Sequence, residues 1–169
     1  MIAPQHILIT GGAGFIGSHL VERLLAEGAQ VTVVDDLSTG SLDNLSAASA
    51  NPRLKFIKAR VSECAPLAEL VATADQVIHL AAAVGVELVV RSPVRVIETN
   101  VHETEVLLEA AKTRRTPVLL ASTSEVYGKS AKEIFSEDDD LLIGPPTHAR
   151  WSYACSKLMD EFFALACGR

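Results

Sequence analysis

Three groups of residues have types and spacings suited to chemistry. The first is Thr10-Gly11-Gly12-Ala13-Gly14-Phe15-Ile16-Gly17. Gly11, Gly14 and Gly17 satisfy G-x-x-G-x-x-G, and Gly12, Gly14 and Gly17 satisfy G-x-G-x-x-G. Glycines so spaced let a backbone turn sharply, approach a pyrophosphate closely and pack a helix hard against a strand. The helix start then offers N–H groups and a partial positive charge to the phosphates. The second is Asp35, 18 residues past Gly17 and near the ~20 expected of an acid that accepts hydrogen bonds from a ribose diol. Its charge repels a 2′-phosphate and so favours NAD over NADP. The third is the pair Tyr153 and Lys157, four apart and therefore on one face of a helix, separated by about 6 Å of rise. An ammonium beside a phenol stabilises the phenolate and turns Tyr into a usable base.

These groups need elements to hold them. His6 to Thr10 reads as a strand running into the glycines, and Phe15 to Glu27 as a helix with an apolar face of Ile16, Leu20, Leu24 and Leu25 that Gly28 ends. Gln30 to Val34 is a second strand, followed by a polar turn from Asp35 to Asn44. Leu54 to Ile57 is a third strand, Pro66 to Ala74 a short helix, and Asp75 to Leu80 a fourth strand, apolar at its centre. Pro93 to Thr113 is a long helix, Pro117 to Ala121 a fifth strand and Trp151 to Cys167 a last helix. Such β-α alternation implies a parallel sheet with right-handed crossovers and helices on both faces. Ser124 to Arg150 is irregular, and a loop of that length is more often functional than idle. Ligands of open α/β sheets bind beyond the carboxyl ends of the strands, so the hydroxyls of Ser122, Thr123 and Ser124 are expected at the crevice of the glycine loop.

Each signal has an ordinary counterpart. A glycine run can be a tight strand–helix turn without a ligand; here a strand before, a helix after and an acid beyond the second strand argue for the dinucleotide. Asp36 alone is an ordinary turn acid. A Tyr–Lys pair at helical spacing is commonly a packed Tyr beside a surface Lys. Cys155, between them, is expected to pack rather than to do redox chemistry. Glu98 and His102 fit an exposed i, i+4 pair, and Glu137-Asp138-Asp139-Asp140 a solvated loop without calcium-loop spacing. No His or Cys spacing suggests a metal.

Composition narrows the class. The chain has 169 residues, 15 Lys+Arg against 21 Asp+Glu, a net charge of −6 and 49% hydrophobic residues. It suits one domain with a real core, not disorder. An acidic chain without a Lys/Arg block is poorly suited to nucleic acid or anionic membranes. Its apolar runs fall short of a membrane span, and the opening Met1-Ile2-Ala3-Pro4-Gln5-His6 lacks the basic start of a signal peptide. Three scattered cysteines, Cys64, Cys155 and Cys167, read as reduced thiols in a cytoplasm.

Gly11-x-x-Gly14-x-x-Gly17, Asp35, His79-Leu80-Ala81-Ala82, Asn100, Ser122-Thr123-x-x-Val126-Tyr127-Gly128 and Tyr153-x-x-x-Lys157 follow one another in a telling order. In that order the sequence resembles the extended short-chain dehydrogenases/reductases, the NAD-dependent nucleotide-sugar epimerases, dehydratases and decarboxylases, along essentially its whole length. The resemblance implies a Rossmann-type α/β domain over residues 1–169, NAD as cofactor, a homodimer through the helices from Pro93 and Trp151, and a substrate-gripping region expected beyond Arg169. It implies Tyr153 as base, Lys157 as anchor of the nicotinamide ribose and tuner of Tyr153, and Thr123 as partner of the reacting sugar hydroxyl. Asp35, Asp36 and the turn Leu37-Ser38-Thr39-Gly40 would hold the adenosine end. Ala81 and Ala82 would line the cofactor, with Phe15, Ile16, Val61, Leu80, Asn100 and Ser122 completing the binding set. The implied reaction takes the proton from a UDP-sugar 4-hydroxyl while hydride leaves C4, and the 4-keto sugar is then epimerised, dehydrated or decarboxylated. Glu125 within Ser122 to Gly128, and Arg150-Trp151-Ser152-Tyr153, resemble the UDP-glucuronate decarboxylases more than the 4-epimerases; as a counter-reading, Glu125 is a solvated loop acid. The 4,6-dehydratases carry an Asp before that Glu, where this chain has Ser124. Ala59-Arg60 stand where the family shows Gly-Asp after the third strand. An NAD-binding fragment or regulatory module without turnover is the competing reading from a different class.

Overall fold

Alternate residues of each central strand enter two different cores. In the computed structural model, which describes residues 5–168, strand β1 (His6–Thr10) sends Ile7 and Ile9 into one cluster and Leu8 into another. Strand β2 (Gln30–Asp35) sends Val31 and Val33 to the first and Val34 to the second. Strand β4 (Gln76–His79) likewise divides Ile78 from Val77. This period of two, with both sets apolar, is why the strands read as near-continuous hydrophobic runs. Each fully buried Val, Leu or Ile contributes about 1.5–3 kcal/mol. The pieces of the opening hexapeptide before Gln5, and Arg169, lie outside the described residues.

With β3 (Leu54–Lys58) and β5 (Val118–Leu120), these strands form one parallel sheet in the order β3-β2-β1-β4-β5. Asp35 ends its ladder opposite Lys58, and Thr10 ends its own opposite both Val34 and His79. Strand order reverses between β1 and β4, so the carboxyl ends of these two strands flank the switch point where such sheets hold ligands. A buried bridge locks that edge: Thr10 Oγ1 lies 2.6 Å from His79 Nδ1, and His79 Nε2 lies 3.1 Å from Thr104 Oγ1.

Helix α1 (Phe15–Ala26) corrects the expected face. Its buried residues are Gly17, Ser18, Val21 and Leu25, and Ile16 is 69% exposed. The helix is rotated so that a glycine, not Ile16, meets the strand–helix turn. Some short elements escaped the sequence reading. A 3-10 turn spans Leu42–Ala48, and helix α3 (Val86–Arg91) starts after Gly85, whose φ is +115°. The β-branched run Val86, Val89, Val90 has modest helix propensity, which hid α3. Helices α2 (Leu67–Thr73), α4 (Pro93–Lys112) and α5 (Trp151–Cys167) lie close to their expected bounds.

The chain forms two compact units. One, Met1–Ala81 with Glu103–Ala121, contains the whole sheet. The other, Ala82–His102 with Ser122–Arg169, contains α3, the first half of α4 and α5. Its small core joins Ala83, Val89 and Val96 with Leu88 and Tyr153. The irregular stretch has local order: a 3-10 turn at Ser124–Tyr127, a bridge between Gly128 and Leu142, and Tyr127 stacked on Phe135 at 4.5 Å. Gly144 lies so close to the Trp151 indole that a Cβ would sit 2.0 Å from its Nε1. Among the described residues no helix is long and apolar enough to cross a membrane, and no cluster of His, Cys, Asp or Glu could hold a metal.

Candidate active site

In the sheet-bearing unit, the glycine loop is closed to side chains. Gly11 has φ +75°, and a Cβ there would lie 2.6 Å from Ala81 N. A Cβ on Gly17 would lie 2.3 Å from Gly11 O, which explains the rotation of α1. Gly14 caps α1 without a side chain, so the helix start keeps the amide groups that favour an anion. Replacing Gly17 by Ala is expected to cost about 1–3 kcal/mol through overpacking and to weaken dinucleotide binding. Urea unfolding and titration with NAD would show both, and unchanged values would refute the role of the contact.

Asp35 is buried and fixed from two sides. Its Oδ2 accepts the Ala13 N–H at 2.9 Å and its Oδ1 the Leu37 N–H at 2.8 Å. One carboxylate thus ties the glycine loop to the turn after β2. A carboxylate offers about four lone-pair sites, so capacity for a ribose diol remains. The turn itself carries Leu37 at φ +61°, Asp36 accepting the Ser38 N–H at 2.8 Å, exposed Ser38 and Thr39, and Gly40 packed against Ala13 O. A side-chain-free cradle, an uncapped helix start and a fixed acid fit a dinucleotide's pyrophosphate and ribose. Phe15 and Ile16 are largely exposed beside it, Leu80 and Ala81 are half-buried, and the Val61 side chain belongs to the second core cluster.

The other unit holds the candidate acid–base residues. Tyr153 receives a hydrogen bond from Thr123, whose Oγ1 also accepts the Glu125 N–H at 3.3 Å. Burial first, then the Glu125 carboxylate, push the Tyr153 phenol above its ordinary pKa; the Thr123 hydrogen bond opposes this and the Asp160 carboxylate adds to it. That reverses the lowering expected from Lys157. Burial is the leading cause, and Lys157 is itself engaged on the same helix. Lys157 Nζ is 2.8 Å from Asp160 Oδ2, in a pair whose side chains are 4% and 0% exposed, so an anion already balances the ammonium. Asn100 is a brace: its Oδ1 accepts the Ala83 N–H at 2.6 Å, and its Nδ2 donates to Ser156 Oγ at 3.0 Å. Ser156 Oγ in turn donates to Tyr153 O at 2.8 Å. Asn100 thereby joins the chain beside half-buried Ala82 to α5. Ser122 Oγ is hydrogen-bonded to Glu161.

Cys155 is exposed, contrary to the expected packing, because Tyr153 and Lys157 take the inner face of that turn. Glu98 and His102 are exposed as expected. In the acidic loop, Asp139 is less free than expected: hydrogen bonds from Lys132 and the Ser136 N–H hold its carboxyl below the usual range. The sequence reading missed Asp160, Ser156 and Glu161. Asp160 was findable as an acid at i+3 from Lys157 on the same helix.

Comparison with known proteins identifies relatives of the chain. The family model for GDP-mannose 4,6 dehydratase matches residues 8–169. The UDP-N-acetyl-alpha-D-glucosaminuronate decarboxylase of Bacillus cytotoxicus is 43% identical over 161 residues, 95% of this chain and 49% of that protein. Among solved structures, a UDP-N-acetylglucosamine 4-epimerase from Methanobrevibacter ruminantium M1 superposes with a TM-score of 0.86 at 30% identity, covering 96% of this chain and 50% of that one. DesIV, a dTDP-glucose 4,6-dehydratase from Streptomyces venezuelae solved with NAD bound, gives 0.82 at 33%, covering 96% and 51%. The chain spans about half the length of these relatives. A match running through the glycine loop, Asp35 and the Tyr153 helix alike settles the kinship: the chain belongs to the extended short-chain dehydrogenase/reductase family of nucleotide-sugar enzymes.

Proposed function

We propose that the chain binds NAD through the glycine loop and Asp35, and acts on a UDP-hexuronate through a 4-keto intermediate that loses its carboxylate. The observation that carries the reaction class is the hydrogen bond between Thr123 and the Tyr153 phenol, with the Glu125 carboxylate raising that phenol's pKa. Tyr153 takes the proton of the sugar 4-hydroxyl, and Thr123 is placed to hold that oxygen. NAD, when bound, supplies the acceptor for the C4 hydride and later returns it. The new C4 carbonyl is β to the C6 carboxylate. The C5–C6 bond can therefore break with its electron pair entering the C4 carbonyl as an enolate, carbon dioxide leaves, and C5 is reprotonated.

Likeness to a uronate decarboxylase supports this outcome over 4,6-dehydration, for which Ser124 supplies no acid before Glu125. A 4-epimerase outcome is the second reading, supported by the likeness to the Methanobrevibacter epimerase. Exposed Val94, Ile97, Met159, Phe162 and Leu165 support a homodimer through α4 and α5, which sedimentation would report. The test is titration with NAD, followed by incubation with UDP-glucuronate and UDP-N-acetylglucosaminuronate. Bound NAD with release of carbon dioxide and a pentose product is expected. A 4-epimeric uronate would establish the second reading, and binding without product from any UDP-sugar would make the chain a cofactor-binding module.

A further inference from the structure

Among the described residues, two other than glycine take a positive φ: Arg115 at +53°, just past the end of α4, and Leu37 at +61°. A left-handed residue after a helix is an ordinary stop. Leu37 stops no helix. It follows the end of β2 at Asp35, and its conformation strains any residue with a Cβ where glycine would be at ease. The strained turn brings its amide back to the sheet. The Leu37 N–H donates to Asp35 Oδ1 at 2.8 Å, while Asp35 Oδ2 accepts the Ala13 N–H at 2.9 Å. The chain beyond then returns to the same residue of the glycine loop. There the Ser41 N–H at 3.1 Å and Asn44 Nδ2 at 2.8 Å both donate to Ala13 O. Hydrogen bonds thus close a circuit from Ala13 through Asp35 and the turn back to Ala13. Leu37 stands at its corner, half-buried, with its side chain packed against the first core cluster.

Strain kept at a bulky residue marks a position that its surroundings over-determine, and such positions gather at ligand clamps. We propose that Leu37 is a positioning residue for the cofactor: its apolar anchor holds the left-handed turn that fixes the Asp35 carboxylate for the 2′-hydroxyl of the adenosine ribose. The inference rests on the NAD reading above and names a residue that sets the ribose selectivity of that same site. Leu37 acts through Asp35 and not on the pyrophosphate. Glycine at this position would take the same φ without strain but also without an anchor, so Asp35 Oδ1 would lose its restraint.

The test compares NAD with nicotinamide 2′-deoxyadenosine dinucleotide, which lacks that hydroxyl, by calorimetric titration of the protein with no sugar present. The unaltered chain is expected to prefer NAD. Leu37→Gly should weaken NAD by about two- to tenfold, the range of one hydrogen bond, and the deoxy form less, so that their ratio falls toward unity. Leu37→Asn, which tolerates the left-handed turn but brings no apolar anchor, should follow the glycine variant. Leu37→Met, apolar and adaptable, should keep the ratio. Thermal unfolding checks that each variant is folded. Equal weakening of both forms in Leu37→Gly is what a merely structural role would give; it overturns the proposal and leaves the NAD reading standing. A ratio lost as fully in Leu37→Met overturns the role of the anchor. If the unaltered chain binds neither form, the NAD reading fails and the proposal with it.

Discussion

On the proposed function, Tyr153→Phe is expected to bind NAD as the unaltered chain does and to lose turnover of a UDP-sugar by about 10²–10⁴-fold, the range for removing a positioned acid–base group. The substitution deletes one oxygen. The ring keeps its packing on Ala83, Val89 and Val96, and Asn100 and Ser156 hold its backbone rather than its hydroxyl. Turnover equal to the unaltered chain at neutral pH would show that the base is elsewhere. The environment of the phenol adds a pH signature. Burial, then Glu125, with a smaller push from Asp160, raise its pKa, and the hydrogen bond from Thr123 opposes them. A base with a raised pKa is more fully protonated at neutral pH, so a rate carried by Tyr153 rises with pH below that value. Glu125→Gln removes the larger charge acting on it and lowers the pKa. The acid limb of kcat/KM should therefore move to lower pH in that variant. A limb that stays put or moves upward would separate Glu125 from Tyr153.

What was legible in the sequence was what depends on neighbours along the chain. The apolar runs of β1, β2 and β4, alternating with helical patterns, and the glycine spacing are local patterns, and they locate the sheet and the loop. The rotation of α1 was not legible, because it depends on Gly17 touching Gly11 O, a contact fixed by backbone rather than by hydrophobicity. Helix α3 was missed because β-branched residues do not announce a helix, and packing of Val89 on Ala83 and Val96 outweighs propensity there. The same limit applies to the candidate site. Tyr153 and Lys157 were found by spacing, but the charge that governs them comes from Asp160 and Glu125, one hidden in the helix face and the other brought near by the turn at Ser124–Tyr127.

The buried pair Lys157–Asp160 should dominate the stability of its unit. Asp160→Ala is expected to cost about 3–5 kcal/mol, because it leaves a buried ammonium without its counter-charge. Against a total of about 5–15 kcal/mol for a domain, that is enough to unfold a large fraction of the protein near its working temperature. The loss does not measure how much the pair stabilises the fold. Bringing both ions out of water is itself costly, and the attraction between groups 2.8 Å apart offsets much of that cost without exceeding it by far. The double change Lys157→Met with Asp160→Leu should therefore recover most of the lost stability in urea unfolding while abolishing turnover. If the double variant were as unstable as Asp160→Ala, the pair would be contributing strongly to the fold. If it recovers, these two charges are kept for what Lys157 does rather than for what it holds together. That outcome would fit an ammonium restrained by Asp160 until a cofactor hydroxyl competes for it. It would also explain why so costly a cation sits four residues from the candidate base, on a face that hydrophobic side chains could have filled.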